Sequence, residues 1–155
     1  MKKQYIHMGG QNMIVCVTGA TSGYGKAILE RFVSEGKRVI AIGRRQERLL
    51  ALQRLYQDAV FPVPLDVCQA ESVYKAFAGL PADWSDIQVL VNNAGLALGL
   101  GRAPDINLAD WHTMIDTNIK ALVTVTQAVL PGMVPEPGAY CQYGLHRRPL
   151  SLSGR

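Results

Sequence analysis

The sequence predicts an α/β protein with a doubly wound parallel sheet, of which this chain carries the N-terminal part, about four strands. From residue 13 onward, short continuous apolar segments alternate with segments that have helical spacing. Strands that are apolar on both faces need helices on both sides of the sheet, and right-handed crossovers supply them. The length of 155 residues and the apolar content of 48% suffice for one domain and exclude a disordered chain.

The predicted elements follow the chain in order. Strands are predicted at Met13–Thr18, Arg38–Ile42, Val60–Leu65 and Ile87–Val91. Helices are predicted at Gly23–Glu35, Arg45–Tyr56, Gln69–Ala78 and Leu108–Leu130. Pro62 and Pro64 indicate that the third strand lies at an edge of the sheet. Candidate core residues are Leu49, Leu52 and Leu55 in the second helix, and Trp111, Ile115, Leu122 and Val129 in the fourth.

The net charge of +4 lies entirely outside the alternating segment. Residues 13–134 hold 11 basic and 11 acidic residues, so this body is neutral. A nucleic-acid binder needs a basic stripe on its fold, and a neutral body argues against that function. No apolar run is long enough to cross a bilayer, and residues 1–12 contain no secretory apolar segment. Cys16, Cys68 and Cys141 show neither CxxC pairing nor metal-ligand spacing, which predicts a cytoplasmic protein without a metal site.

A glycine-rich loop joins the first strand to the first helix, with the sequence TGATSGYG from Thr18 to Gly25. Gly19 permits a tight turn, Gly23 lets the backbone approach a pyrophosphate, and Gly25 lets helix and strand pack closely. The phosphates would lie at the helix N-terminus. The strand–turn–helix context favours a dinucleotide site over an ordinary glycine-rich turn. The predicted contacts are Thr18, Gly19, Thr21, Ser22, Gly23, Tyr24 and Gly25.

Two arginines follow the second strand and predict which cofactor binds. Arg44 lies nineteen residues after Gly25, and Arg45 follows it. An NAD site has a carboxylate here for the ribose 2′-hydroxyl, whereas an NADP site has a cation for the 2′-phosphate. Guanidinium groups bind phosphate in a bidentate way, so we expect NADP, with Arg44 as the main contact and Arg45 as the second. The alternative is a solvated helix start, which the helix dipole disfavours for arginine.

The leading Thr-Gly and the spacing Gly-x-x-x-Gly-x-Gly resemble the short-chain dehydrogenase/reductase family, and three further motifs extend the resemblance over residues 13–134. It implies a Rossmann-type fold. Asp66 and Val67 end the third strand, where the family contacts the adenine. Asn92-Asn93-Ala94-Gly95 ends the fourth, where the family braces the sheet and lines the cofactor site with Asn92, Ala94 and Gly95. Asn118 occupies the family's catalytic asparagine position.

Each of these residues also has a simpler interpretation. Asp66 would serve as a helix N-cap, Asn92 and Asn93 as turn residues, and Asn118 as a polar position on a helix. The order of all the motifs together argues against these alternatives.

The segments NNAGLALG, MIDTN and VLPGM resemble one branch of that family, the bacterial NADP-dependent 3-hydroxy acid dehydrogenases. The resemblance implies a small 3-hydroxy acid or semialdehyde, such as malonic semialdehyde, as substrate. It implies that Leu96–Leu108 forms part of the substrate loop, and that the full-length form is a homo-oligomer built on the long helix. His112 is interpreted as a surface residue of that helix.

The family's proton-donating residues, a serine after the fifth strand and a Tyr-x-x-x-Lys motif, have no counterpart in this chain. No lysine follows Lys120. Tyr143 and Arg147 have the right spacing but no predicted helix around them, and no predicted strand precedes Ser151 or Ser153. We therefore expect no turnover by this chain and an open apolar edge at Ile87–Val91. The alternative function is a catalytically inactive nucleotide-binding module.

The two ends of the chain lie outside the resemblance. Residues 135–155 are predicted to be irregular. With allowed codons, a one-base shift near codon 134 turns this segment into Arg-Asn-Arg-Gly-His-Ile-Val-Asn-Met-Gly-Ser, an apolar strand followed by the family's serine motif. We therefore expect a frameshift there. Residues 1–12 are interpreted as a leader before a start at Met13, since Gly9 and Gly10 can be encoded by a ribosome-binding sequence. A flexible N-terminal extension is the alternative.

Overall fold

The computed structural model describes residues 13–99, 102, 105–133 and 139–142. Five parallel strands form one sheet in the order β3-β2-β1-β4-β5. The strands are β1 (Ile14–Thr18), β2 (Arg38–Gly43), β3 (Val60–Pro64), β4 (Ile87–Asn92) and β5 (Ala139–Gln142). The expected doubly wound α/β fold is confirmed, and β3 with its two prolines is an edge strand as expected.

Helices connect the strands and cover the sheet. They are α1 (Gly23–Ser34), α2 (Gln46–Tyr56), α3 (Ala70–Ala78), α4 (Leu108–Ile115) and α5 (Ala121–Met133). A π-helical segment, Asp116–Lys120, joins α4 to α5 without a break. The observed bounds agree with the predicted elements to within about two residues up to β4.

The central strands are buried on both faces, as their apolar sequences require. One cluster, which includes Cys16, Ile40 and Leu90, packs beneath α3 and α5. The other, which includes Val15 and Val39, packs with residues of α1 and α2. Burial raises the pKa of the Cys16 thiol to about 12, because the charged thiolate is poorly solvated in the core. This thiol therefore stays protonated at neutral pH.

Within residues 135–155 the structure describes only 139–142, and there it corrects the expectation of an irregular segment and an open β4 edge. Residues Ala139–Gln142 form β5, which pairs with β4 in the register Val89↔Ala139. A four-residue strand is too short to show an alternating pattern, and its pairing uses backbone groups that any sequence carries. The free edge of β4 offers those groups, so the strand forms without a signal in the sequence.

The long helix also differs from its prediction. Trp111 and Ile115, expected in the core, are 42% and 40% exposed, and Leu55 of α2 is 66% exposed. The π-helical segment inserts a wider turn between α4 and α5, so a single helical period cannot be extended across it. Within α5 the buried residues recur every fourth position, at Ala121, Val125, Val129 and Met133.

Some expectations concern residues outside the described part of the chain. They are the leader at residues 1–12 and the assignments of Tyr143, Arg147, Ser151 and Ser153. Among the described residues, no helix has the length and apolarity that crossing a bilayer demands. Within that same part of the chain, no three side chains of His, Cys, Asp or Glu gather where they would hold a metal ion.

Candidate functional site

The glycine loop lies between the carboxyl end of β1 and the N-terminus of α1. Gly19 and Gly23 have φ angles of +67° and +53°, which side chains other than glycine rarely adopt. A Cβ added to Gly23 would meet nothing within 4 Å, so the loop is open on that side. Ser22 precedes α1, and its hydroxyl makes no capping hydrogen bond to the helix. The helix N-terminus is thus positioned to face an anion.

Gly25 allows α1 to press against the loop and β4. A Cβ on Gly25 would overlap the carbonyl oxygen of Gly19 and the Asn93 side-chain amide. A Cβ on Gly19 would lie 2.9 Å from the same amide nitrogen. Both glycines therefore serve the close packing that the motif predicts, and the backbone occupies the space that side chains would fill.

Thr18 and Asn93 join the loop to the end of β4. The Thr18 hydroxyl accepts hydrogen bonds from the backbone N–H groups of Asn93 and Ala94, at 3.0 and 2.9 Å. The Asn93 side chain donates to the carbonyl oxygens of Thr18 and Gly19, at 2.9 and 3.3 Å. Two neighbouring strand ends are thus fixed to each other at the point where the strand order reverses. In open α/β sheets, this crevice binds ligands.

Arg45, predicted as the second cofactor contact, reaches the glycine loop. The Arg45 guanidinium donates to the Thr21 hydroxyl at 3.2 Å and to the Ser22 hydroxyl at 2.8 Å. Arg44 and Arg45 are both exposed. A cation therefore lies beside the loop, next to where the motif would place the dinucleotide phosphates.

Asp66 is not the N-cap of α3. That position belongs to Gln69, and the Asp66 carboxylate instead accepts a hydrogen bond from the backbone N–H of Cys68, at 3.0 Å. The resulting turn brings Cys68 against the π-helical segment, where its sulfur lies 3.4 Å from the Thr117 hydroxyl. Val67 is buried beside this turn.

Asn118 and Asn92 attach the long helix to the end of β4. Asn118 lies in the π-helical segment; its side chain accepts from the Leu96 N–H at 2.9 Å and donates to the Leu96 carbonyl at 2.8 Å. Asn92 is 4% exposed and donates to the Thr126 hydroxyl of α5 at 2.9 Å. Neither residue is a solvated polar position, and Asn92 belongs to the strand itself, not to a turn.

The structure brings several of the site residues predicted from the sequence together around one cavity, the hollow between the sheet and the long helix. It is lined by Thr18, Val67, Asn92 and Ala94 from the sheet side and by residues of the π-helical segment and α5. Gly95 follows Ala94 on the exposed side. Tyr24 is 78% exposed and does not line the hollow. The sequence assigns no individual role to Met114, Thr117 or Thr126, because their contacts depend on how helix and sheet pack.

Comparison with known proteins agrees with this geometry. The family model described as short chain dehydrogenase matches residues 13–140. The chain belongs to this family. The match includes the glycine loop, both arginines, β4 and the long helix, so the family resemblance in the sequence is confirmed.

Individual members resemble the chain over about half of their own length. It is 54% identical over 122 residues to the NADP-dependent 3-hydroxy acid dehydrogenase of Escherichia coli O6:H1, which covers 79% of this chain and 49% of that enzyme. It is 50% identical over 124 residues to serine 3-dehydrogenase of Rhizobium radiobacter, which covers 80% and 50%. The chain thus spans about half the length of the curated relatives it matches.

Solved structures of the family superimpose on the same part. A closed form of serine dehydrogenase complexed with NADP+ has a TM-score of 0.77 at 53% identity, with 79% of this chain and 49% of that chain covered. Serine dehydrogenase from Escherichia coli has a TM-score of 0.76 at 53% identity, with 79% and 56% covered.

Proposed function

We propose that this chain is the NADP-binding part of a short-chain oxidoreductase that transfers a hydride between NADP(H) and a small 3-hydroxy acid or semialdehyde. The observation that carries the proposal is the position of Arg45, whose guanidinium contacts the glycine loop hydroxyls. A cation and a dinucleotide loop thus meet at one place. Relatives with NADP in their names support the same cofactor.

The adenosine side of the cofactor would lie over β2 and β3. Arg44 and Arg45 follow β2, and Asp66 and Val67 follow β3. A ribose 2′-phosphate carries two negative charges at neutral pH, and two guanidinium groups offer bidentate hydrogen bonds to it. The pyrophosphate would follow at the N-terminus of α1, where Gly23 leaves the backbone accessible.

The nicotinamide side would lie over β4, among Asn92, Ala94, Gly95 and Asn118. The bound cofactor supplies the hydride, and these residues orient it. Asn118 is the catalytic position that the family resemblance assigns to this chain. Its side chain is held by Leu96 on both polar atoms, so it keeps one orientation.

The chain as given carries no lysine after Lys120, so it lacks the family's Tyr-x-x-x-Lys motif. Carbonyl reduction needs a proton donor beside the nicotinamide. We infer that this chain binds NADPH without turnover and that hydride transfer belongs to the full-length form. Cys16 and Cys68 are free thiols, which suits the reducing cytoplasm where we place the protein.

We further propose that the full-length form is a homo-oligomer. An exposed apolar face runs along the long helix, with Trp111, Ile115, Ile119 and Val123 each 40–58% exposed. These residues follow one another at intervals of four, while Ala121 and Val125 of α5 are buried against the sheet side. A continuous apolar stripe of this kind is typical of an interface between subunits.

Cofactor selectivity tests the main proposal. The full chain is titrated with NADPH and NADH by calorimetry, and NADPH is expected to bind more tightly. Arg44→Ala is expected to weaken NADPH binding by about 10- to 100-fold, since charge-assisted hydrogen bonds contribute about 1.5–3 kcal/mol. NADH binding should not change, because NADH has no 2′-phosphate.

Arg48→Ala provides the matched control. It removes the same charge one turn further along α2 and leaves the strand end intact, so it should alter NADPH affinity by less than about twofold. Equal affinities of the wild-type chain for NADPH and NADH would refute the choice of cofactor. Equal effects of the two substitutions would show that only net charge matters.

A further inference from the structure

Two side chains of the long helix hold the segment that follows β4. Asn118 binds both backbone groups of Leu96, as described above. Met114, four residues earlier, accepts a hydrogen bond from the Leu98 N–H through its Sδ atom, at 3.4 Å. Met114 and Leu98 are both half-buried. The helix therefore contacts this segment at two points, not only at the family's asparagine.

The spacing of these two contacts fits a chain that runs along the helix. Met114 and Asn118 are four residues apart, about one helical turn. Leu96 and Leu98 are two residues apart in the segment that follows β4. Side chains on neighbouring turns of the helix therefore hold two neighbouring points of this segment. A single contact would leave the segment free to pivot about Leu96.

The segment is also defined at its far end. Gly99 has a φ angle of +67°, and a Cβ there would lie 2.6 Å from Ile106 Cγ2. The chain turns at Gly99, directly after the residue that Met114 holds. At the near end, Ala94 is held by Thr18. Residues 96–98 are thus fixed between two defined positions, and the sulfur contact lies next to the second.

We propose that Met114 is a positioning residue for the nicotinamide side of the site, through its sulfur contact with Leu98. The inference rests on the proposed function. In the proposed function the adenosine side lies over β2 and β3, and β4 is on the other side of β1, so a segment that follows β4 would flank the nicotinamide half. A thioether is a weak acceptor, and its contribution here comes from fixing Leu98 and not from the strength of one bond.

The experiment compares two ligands on the full chain. NADPH spans both halves of the site, whereas adenosine 2′,5′-bisphosphate occupies the adenosine half only. Met114→Leu keeps the apolar volume and removes the acceptor. It is expected to lower NADPH affinity about three- to tenfold and leave the affinity for adenosine 2′,5′-bisphosphate unchanged. Amide hydrogen exchange at Leu98 should become faster by a similar factor.

Two further variants separate positioning from packing. Met114→Gln restores an acceptor at this position and should bind NADPH within about twofold of the wild-type chain. Met133→Leu makes the same substitution at a buried α5 residue of the apolar core, and it should change neither ligand's affinity.

The remaining outcomes distinguish a failure of the role of Met114 from a failure of the proposed function. An unchanged NADPH affinity in Met114→Leu, an equal loss for both ligands, or no recovery in Met114→Gln would overturn the role of Met114 and leave the proposed function standing. A wild-type chain that binds adenosine 2′,5′-bisphosphate but not NADPH would also overturn the role of Met114. If the wild-type chain binds neither ligand, the proposed function itself fails.

Discussion

Gly25 matters both to the fold and to the proposed cofactor site because it has no Cβ atom. Its Cα faces the carbonyl oxygen of Gly19 and the Asn93 amide. That amide also donates to the carbonyl oxygens of Thr18 and Gly19. A side chain here would push α1 away from β4 and break the brace between two strand ends. The loop that approaches the phosphates would move with it.

We therefore expect Gly25→Ala to lower the free energy of unfolding by about 3 kcal/mol, since overpacking against backbone costs roughly 1–3 kcal/mol and a brace is lost as well. Urea denaturation of the full chain measures it. Gly132→Ala is the control, because a Cβ there lies an ordinary 3.5 Å from the Ser85 carbonyl. Alanine should keep or raise stability at that helical position. Similar losses in both variants would contradict a specific role for Gly25.

The residues of the site differ in how far the sequence could predict them. Gly19 and Gly25 follow from a motif whose backbone requirements are general, and their positions in the structure agree with it. The Arg45 contact with Ser22 and the Met114 contact with Leu98 depend on rotamers and helix placement, which no local pattern contains. The sequence predicts Asp66 at the site but not the contact between Cys68 and Thr117, because that contact depends on where the π-helical segment packs.

At the level of secondary-structure elements, the long helix has an exposed apolar face. Its exposed apolar residues are Trp111 and Ile115 of α4, Ile119 of the π-helical segment and Val123 of α5. Simple helical periodicity treats the whole span as one amphipathic helix and assigns Trp111 and Ile115 to the core. In the structure, α5 buries a second set of apolar residues, Ala121, Val125 and Val129. A helix with two apolar sets is ambiguous from sequence, and only its packing on the sheet distinguishes them.

If this face forms the subunit interface, this chain, which retains it, should self-associate. Val123→Lys places a charge on the face and is expected to raise the dissociation constant at least tenfold, since burying an unpaired ammonium is unfavourable. Sedimentation velocity over a range of concentrations measures the change. Leu55→Lys is the matched control, because Leu55 is 66% exposed on α2, away from this face. Loss of association in both variants would indicate nonspecific aggregation.

At the level of the whole molecule, two properties change near residue 134: the chain becomes basic, and the strand that follows is one the sequence does not predict. The neutral body from residue 13 to residue 134 contains four strands that the sequence predicts correctly. The fifth strand lies in the basic end segment and was not predicted. In the shifted reading of that segment, His-Ile-Val-Asn falls on residues 139–142, the positions that β5 occupies. The shifted reading places two β-branched residues, Ile and Val, at these positions, and β-branched residues favour a strand.

We accordingly propose a one-base frameshift near codon 134, and expect the gene to contain codons between 135 and 155 that permit the shifted reading. The shifted reading places the serine motif directly after β5, and a protein restored in this frame through the family's Tyr-x-x-x-Lys motif should oxidise NADPH with malonic semialdehyde, because it then has the proton donor. The chain as given, assayed in parallel, should bind NADPH without oxidising it. In the restored protein, NADH should replace NADPH poorly because Arg44 and Arg45 favour a 2′-phosphate. Sequencing the gene over this region tests the frameshift proposal, and codons incompatible with the shifted reading would reject it. A restored protein that is inactive on malonic semialdehyde and related aldehyde acids would reject only the proposed substrate. The two results are separable because the reading frame would determine whether the proton-donating residues exist, whereas the proposed substrate loop, Leu96–Leu108, would determine which substrate they act on.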